Sequence, residues 1–410
     1  MMKNIPKSAT DEDIEALFRG VSVALPDRET IEQTLRHPRK ALRVKFGIDP
    51  TTPDLHFGYL VVFRRLRLLK RLGYQIVVLF GGFTARFGDP TEKSEARVLR
   101  PAEEVKTAMR NYRKQLEVFF GGRTRDERAV EFRNNAEWYE KMSAEELLRL
   151  MSGVTTAQML ERDMFRQRVK AEKAIGLHEP VYPLLQAYDS VMLESDLTII
   201  GTDQVFNENV ARSLQERHAQ KPQGILGLEL IPGTDGSLKM SQSLGNAILM
   251  TDSPKEQFGR LMSLPDAAAL QYAKMLTEQE LAPLEDSFSA GGVAARDAKL
   301  AIGETIIAEL HGNTLATDVR KVFAAQFQKG EMPEEAPIRY TTETSRQIKH
   351  LLVDLGLASS NSEAQRLVAQ GGVFVNGQRV NDPAKDYELK GSEGYLIRVG
   401  RRFVRVEYRQ

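Results

Sequence analysis

Two short apolar runs flanking one amphipathic stretch restrict the fold more than any other feature of the chain. Arg43 to Ile48 is short and mostly apolar, as a strand buried on both faces of a parallel sheet would be. Pro50, Thr51, Thr52 and Pro53 then break the pattern, and Asp54 is the expected N-cap of a helix. From Tyr59 to Leu72 apolar residues recur at helical spacing, with Arg64, Arg65, Lys70 and Arg71 on other faces. Gln75 to Phe80 is a second buried strand. The sum is a βαβ unit with a right-handed crossover. Ligands in such sheets bind beyond the carboxyl ends of the strands. His56 and Gly58 fall there, at a helix start whose free N–H groups and positive potential suit a phosphate.

A length of 410 residues predicts two or three domains rather than one core. There is no cysteine, which excludes disulfides and thiolate metal sites and fits a reducing, cytoplasmic setting. No apolar run approaches the roughly 20 residues a membrane span needs, and the N-terminus lacks a charged-then-apolar signal pattern. No membrane partner is expected. The net charge is +1, so contact with a nucleic acid must come from local patches.

Residues 1–40 read as a polar helical lead-in. After the second strand, Gly81, Gly82, Gly88 and Pro90 predict a loop at the same end of the sheet, carrying Asp89, Lys93 and Arg97. It is not a Walker loop, because Glu92 stands where the second glycine is needed. Taken alone, its charges read first as a solvated surface. Pro101 to Phe120 is a long helix, and 131–170 looks largely helical. On a helix, Tyr182, Gln186 and Asp189 share one face of an otherwise apolar element. That face suits a small polar pocket, or a buried hydrogen-bonding network with no ligand. Leu197 to Ile200 is a strand leading into Gly201, Thr202, Asp203 and Gln204, again at the ligand edge. Gly233 to Asn246, rich in Gly and Ser, is a loop carrying Lys239.

Residues 254–330 are helix-rich, and 329–337 form a charged, proline-bearing linker. The last residues form a small α/β unit with an Asn376-Gly377 hairpin turn. From Ser345 to Gln410 there are 11 Lys and Arg against 7 Asp and Glu. This modest basic excess suits RNA phosphates, and equally an ordinary surface or a protein-contact module. The fold class is α/β: a Rossmann-type doubly wound parallel sheet over 1–230, a loop and helical domain over 231–335, and a small α/β domain over 340–410.

Five separated motifs, in order, resemble bacterial tyrosyl-tRNA synthetases, which are class I aminoacyl-tRNA synthetases. They are His56-Phe57-Gly58-Tyr59, Gly88-Asp89-Pro90 with Lys93 and Arg97, Tyr182-x3-Gln186-x2-Asp189, Gly201-Thr202-Asp203-Gln204, and Lys239-Met240-Ser241-Gln242-Ser243. Lys45 before Phe46-Gly47-Ile48-Asp49-Pro50 is similar to one branch of that family. The resemblance runs from about Ala41 to the C-terminus. The terminal unit resembles a small RNA-binding domain shared with a ribosomal small-subunit protein.

The resemblance implies that tyrosine's carboxylate attacks the α-phosphate of ATP, giving tyrosyl-adenylate, and that tRNA then takes the tyrosyl group. Chemistry of this kind needs positioning and charge stabilisation more than a covalent nucleophile. By the same resemblance, His56, Thr51, Lys93, Arg97, Lys239 and Ser243 act on the phosphates. Asp189 receives the phenolic hydroxyl, while Tyr182, Gln186, Asp89 and Gln204 hold the α-amino end or the pocket around it. Gly47, Asp49, Gly58, Tyr59, Gly201, Asp203 and Gln242 join His56 and Lys239 around ATP. Magnesium arrives with ATP, and no structural metal is expected. The family implies tRNA(Tyr), L-tyrosine and ATP as partners, a homodimer, and anticodon contacts from the helical domain or the terminal unit. Three residues depart from the family pattern: Tyr59 for a second histidine, Gln242 for a second lysine, and Glu92 for a glycine. All touch the ATP side and imply retuned ATP handling. Two other readings stay open. One is a paralogue that passes tyrosine or an analogue to a non-tRNA acceptor, and the other is a catalytically idle RNA-binding protein.

Overall fold

A computed structural model describes residues 5–89, 99–121, 129–328, 338–390, 394–399 and 402–409. Lys93, Arg97 and Glu92, singled out above, lie outside the described residues. Contacts divide the chain into Met1–Ala316 and Thr317–Gln410.

The first unit is built on six strands: β1 (Val21–Leu25), β2 (Arg43–Ile48), β3 (Gln75–Phe80), β4 (Glu131–Asn134), β5 (Leu197–Gly201) and β6 (Gly224–Leu228). They lie in the order β1-β6-β5-β2-β3-β4, and all neighbours are parallel except the β1–β6 pair. β2 therefore has β3 on one side and β5 on the other, so the winding reverses beside it. A crevice opens beyond the carboxyl ends at such a switch point. Helix α1 (Phe57–Leu72) is the crossover from β2 to β3, and Gly73, with φ 96°, closes it in the left-handed conformation. Three further helices bear on the site: α2 (Ala102–Phe120), α3 (Tyr182–Leu193) and α4 (Val205–Arg217).

Three local expectations are corrected. Residues 1–40 are not all helical, because Val21-Ser-Val-Ala-Leu25 pairs antiparallel with β6 as an edge strand. Residues 131–134 form β4 rather than helix; this half-exposed edge strand tolerates Glu131 and Arg133, which removed the apolar signal. The N-cap of α1 is His56 and not Asp54: the helix begins at Phe57, and the His56 ring accepts from the Gly58 N–H.

Helices between Pro254 and His311 pack within this same unit. Arg64 on α1 pairs with Glu278 and Glu309, and the buried Arg65 donates to the carbonyl oxygen of Met275.

The second unit carries β7 (Ile338–Thr341), β8 (Ser345–Gln347), β9 (Val373–Val375), β10 (Gln378–Arg379), β11 (Asp386–Glu388), β12 (Tyr395–Val399) and β13 (Arg402–Tyr408). Five of these form a sheet in the order β10-β9-β12-β13-β7. Its core joins Leu351, Leu352 and Val368 of two short helices to Ile397 and Val406 of the sheet. The β9–β10 turn places Asn376 and Gly377 at φ 49° and 80°, as a tight hairpin requires.

Candidate active site

Four strand ends deliver the polar groups. β2 runs into Asp49, β3 into the turn before Thr84, β4 into Asn135, and β5 into Asp203 and Gln204. The Asp49 carboxylate accepts from the Thr84 hydroxyl at 2.8 Å and from the Tyr182 hydroxyl at 2.8 Å. This close approach needs a glycine at position 81, where a Cβ would lie 1.8 Å from Asp49 Oδ1. Asn135 Nδ2 donates to Thr84 Oγ1 at 2.9 Å and to Asp189 Oδ2 at 3.3 Å. Trp138 Nε1 donates to Asp189 Oδ1 at 3.0 Å. One hydrogen-bonded path thus runs from α3 across the strand ends and back to α3.

The electrostatics follow from that burial. Burial pushes the Asp189 carboxyl up to about 7, against the opposing pull of the Lys45 charge and of the Asn135, Tyr139 and Trp138 donors. The Tyr182 hydroxyl is pushed well up, by burial first and then by Asp49 and Asp89. A concentration of carboxylates around one buried phenol suits an ammonium group. Gln186 and Gln204 continue this lining: Asn207 Nδ2 donates to Gln186 Oε1 at 2.7 Å and to Gln204 Oε1 at 3.0 Å. Gln204 Nε2 donates to Asp89 Oδ2 at 3.0 Å and to Asp203 Oδ2 at 3.1 Å.

The other side is made of helix mouth and loop. Lys239 Nζ lies 2.7 Å from Asp203 Oδ2. Burial, aided by the Lys239 charge, holds His56 down at about 4, so its ring is neutral near pH 7. The Gly58 N–H donates to His56 Nδ1 at 3.2 Å and reaches Met240 Sδ at 3.3 Å. The segment after the loop is tied to the helix mouth, with Phe57 N–H donating to Ile248 O at 2.9 Å and Met250 N–H to Leu55 O at 2.8 Å. Tyr59 stacks on His56 with ring centroids 4.5 Å apart, and burial raises its hydroxyl, with Tyr112, Asp49 and Asp203 adding to the shift. Gln242 Nε2 donates to Thr52 Oγ1 at 3.1 Å and to the Asp54 carbonyl oxygen. Ser243 is exposed and shares a hydrogen bond with Ser241, while the Thr51 N–H donates to the Asp49 carbonyl oxygen. Gly47 lies open on β2: a Cβ there would meet nothing within 4 Å, whereas one at Gly201 would strike Asp203 Oδ1 at 2.5 Å.

The structure therefore gathers Asp49, Asp89, Tyr182, Gln186, Asp189, Asp203, Gln204 and Lys239 by hydrogen bonds at one end of the sheet. Sequence reasoning missed Thr84, Asn135, Trp138, Asn207 and Glu208, and treated Lys45 only as a family mark. Asn135 and Trp138 follow the unrecognised β4. A cation inside an apolar strand was the available signal for Lys45.

This sheet order, with charged side chains gathered at the carboxyl strand ends, defines the doubly wound α/β class whose ligands bind there. Residues 37–328 match the family model described as tRNA synthetases class I (W and Y), and residues 350–390 match the S4 domain. The chain belongs to this family of class I tRNA synthetases. It is 39% identical over 395 residues to a tyrosine–tRNA ligase of Thermotoga maritima, covering 96% of both chains. It is 39% identical over 396 residues to one of Moorella thermoacetica, covering 95% of this chain and 94% of the relative. Among solved structures, a tyrosyl-tRNA synthetase of Archaeoglobus fulgidus complexed with L-tyrosine superposes with a TM-score of 0.57. Its identity is 22%, over 74% of this chain and 98% of that one, which supports the fold.

Proposed function

We infer that this chain is a tyrosine–tRNA ligase that joins L-tyrosine to ATP as tyrosyl-adenylate and passes the tyrosyl group to tRNA. The observation that carries the reading is the buried Asp189 carboxylate, held by Asn135 and Trp138 on the hydrogen-bonded path that includes Asp49 and Tyr182. A buried carboxylate of this kind accepts a phenolic hydroxyl and is left short of a partner by a plain phenyl ring.

In this reading the ammonium of tyrosine lies among Tyr182, Gln186, Asp89 and Gln204. ATP, entering with its magnesium, places its adenosine along Gly47, Gly201 and Asp203 and its phosphates at the mouth of α1. Thr51, the neutral His56, Gly58, Lys239, Ser243 and Gln242 face those phosphates, and Lys93 and Arg97 complete the cationic set. Lys239 exchanges its contact with Asp203 for the departing pyrophosphate, supplying charge as the transition state forms. Gln242 and Tyr59 retune this side: an amide that bonds Thr52 and Asp54 replaces a cation, and a phenol stacked on His56 replaces an imidazole. The second unit binds tRNA, the helices after 254 contribute to anticodon contacts, and the enzyme works as a homodimer.

ATP–pyrophosphate exchange driven by tyrosine, followed by charging of tRNA, tests the reading. Both activities are expected. Exchange without charging would point to a non-tRNA acceptor, and neither activity, with RNA binding intact, to an idle RNA-binding protein.

A further inference from the structure

Lys45 and Glu208 are 2% and 1% exposed, and their side chains meet in the interior. Lys45 rises from the middle of β2, Glu208 from α4. All three Lys45 donors are used: on Ser190 Oγ at 2.6 Å, and on both Glu208 oxygens at 2.9 Å. A buried ion pair is weak evidence for stability, since well-packed apolar side chains of the same volume often do as well. This pair does something an apolar pair could not. Glu208 Oε1 also accepts from Gln186 Nε2 at 2.9 Å, while Oε2 accepts from Gln223 Nε2 at 2.7 Å.

An ionised carboxylate only accepts, so the Gln186 atom facing Glu208 has to be the amide nitrogen. The Gln186 carbonyl oxygen is thereby turned away from Glu208, toward Asn207 Nδ2 at 2.7 Å. The same rule acts at the far end of the run, where Asp89 and Asp203 claim the Gln204 nitrogen and leave its oxygen to Asn207. The order Lys45, Glu208, Gln186, Asn207, Gln204, Asp89 thus has a fixed polarity, with a carboxylate at each end of the amides.

We propose that Glu208, charge-balanced by Lys45, is a positioning residue that holds the Gln186 NH2 group and so keeps the Gln186 oxygen, which accepts from Asn207, available to the ammonium of the amino-acid substrate as a second donor. This rests on the tyrosine reading above. Without the carboxylate, only the Asn207 donor opposes a turn of the Gln186 NH2 group toward the ammonium.

Equilibrium titration without ATP tests the proposal, using L-tyrosine, tyramine (ammonium but no carboxylate) and 3-(4-hydroxyphenyl)propionate (carboxylate but no ammonium). Glu208→Gln is expected to weaken tyrosine and tyramine at least tenfold and the des-amino acid less than twofold. The paired variant Lys45→Met/Glu208→Gln, which leaves no unpaired buried charge, is expected to show the same selective loss and covers the case in which the single variant fails to fold. Equal weakening of all three ligands, or none, in the paired variant overturns the positioning role. Wild-type protein that fails to bind tyrosine would overturn the underlying reading instead.

Discussion

Asp189 and Lys239 are held in opposite ways. Asp189 is 4% exposed, and both its oxygens receive donors from the segment that follows β4. The Lys239 side chain is 40% exposed on a loop, and its ammonium rests on Asp203. The first arrangement is finished before any ligand arrives: its dipoles are fixed, and they select by what they leave unpaired. The second is a charge parked on a neighbouring acid, ready to move onto charge that develops later. Recognition of the amino acid and stabilisation of the transition state are thus assigned to different parts of the protein.

The largest effect that would sharpen this division is Asp189→Asn. It puts an NH2 group where Trp138 and Asn135 already donate. Tyrosine kcat/KM in ATP–pyrophosphate exchange should fall about 10³-fold, chiefly through KM. Lys239→Ala should lower kcat about 10²-fold with tyrosine KM nearly unchanged, as for a contact made only in the transition state. A large rise in tyrosine KM there would break the division.

A third effect concerns pH. If the ionised Asp189 carboxylate accepts the phenol, tyrosine binding favours the ionised form, so affinity rises with pH and levels off above about 7. Titration at pH 6 and pH 8 should differ about tenfold in the wild type and not in Asp189→Asn. The stability sign is the reverse. Because the folded carboxyl sits above its ordinary value of 3.8, its contribution is fully present below about 4 and is lost as pH rises through about 7. The unliganded Tm of Asp189→Asn should therefore lack that downward slope. His56, held at about 4, should add no inflection between pH 6 and 8.

The smallest effects belong to the departures. Gln242→Lys and Tyr59→His should each change ATP KM or the adenylation rate by less than about tenfold, leaving tyrosine KM untouched. No change in either would make both substitutions silent.

How much of this was legible depended on where each residue sits. The face of Tyr182, Gln186 and Asp189 could be read from spacing alone, because α3 is otherwise apolar and its polar positions stand out. The βαβ unit was legible for the same reason, its strands being buried on both sides. β4 was not: an edge strand with two charges in four residues resembles any polar segment, and with it went Asn135 and Trp138, the donors on Asp189. The pairing of Lys45 with Glu208 spans 163 positions and arises only when β2 and α4 pack, which no local pattern encodes.

Tyrosine binding in the absence of ATP tests the division of labour most directly, compared among the wild type, Asp189→Asn and Lys239→Ala. The account predicts that affinity collapses in the first variant and stays within about twofold of wild type in the second. Equal losses in both, or an Asp189→Asn protein that binds as wild type does, would contradict it.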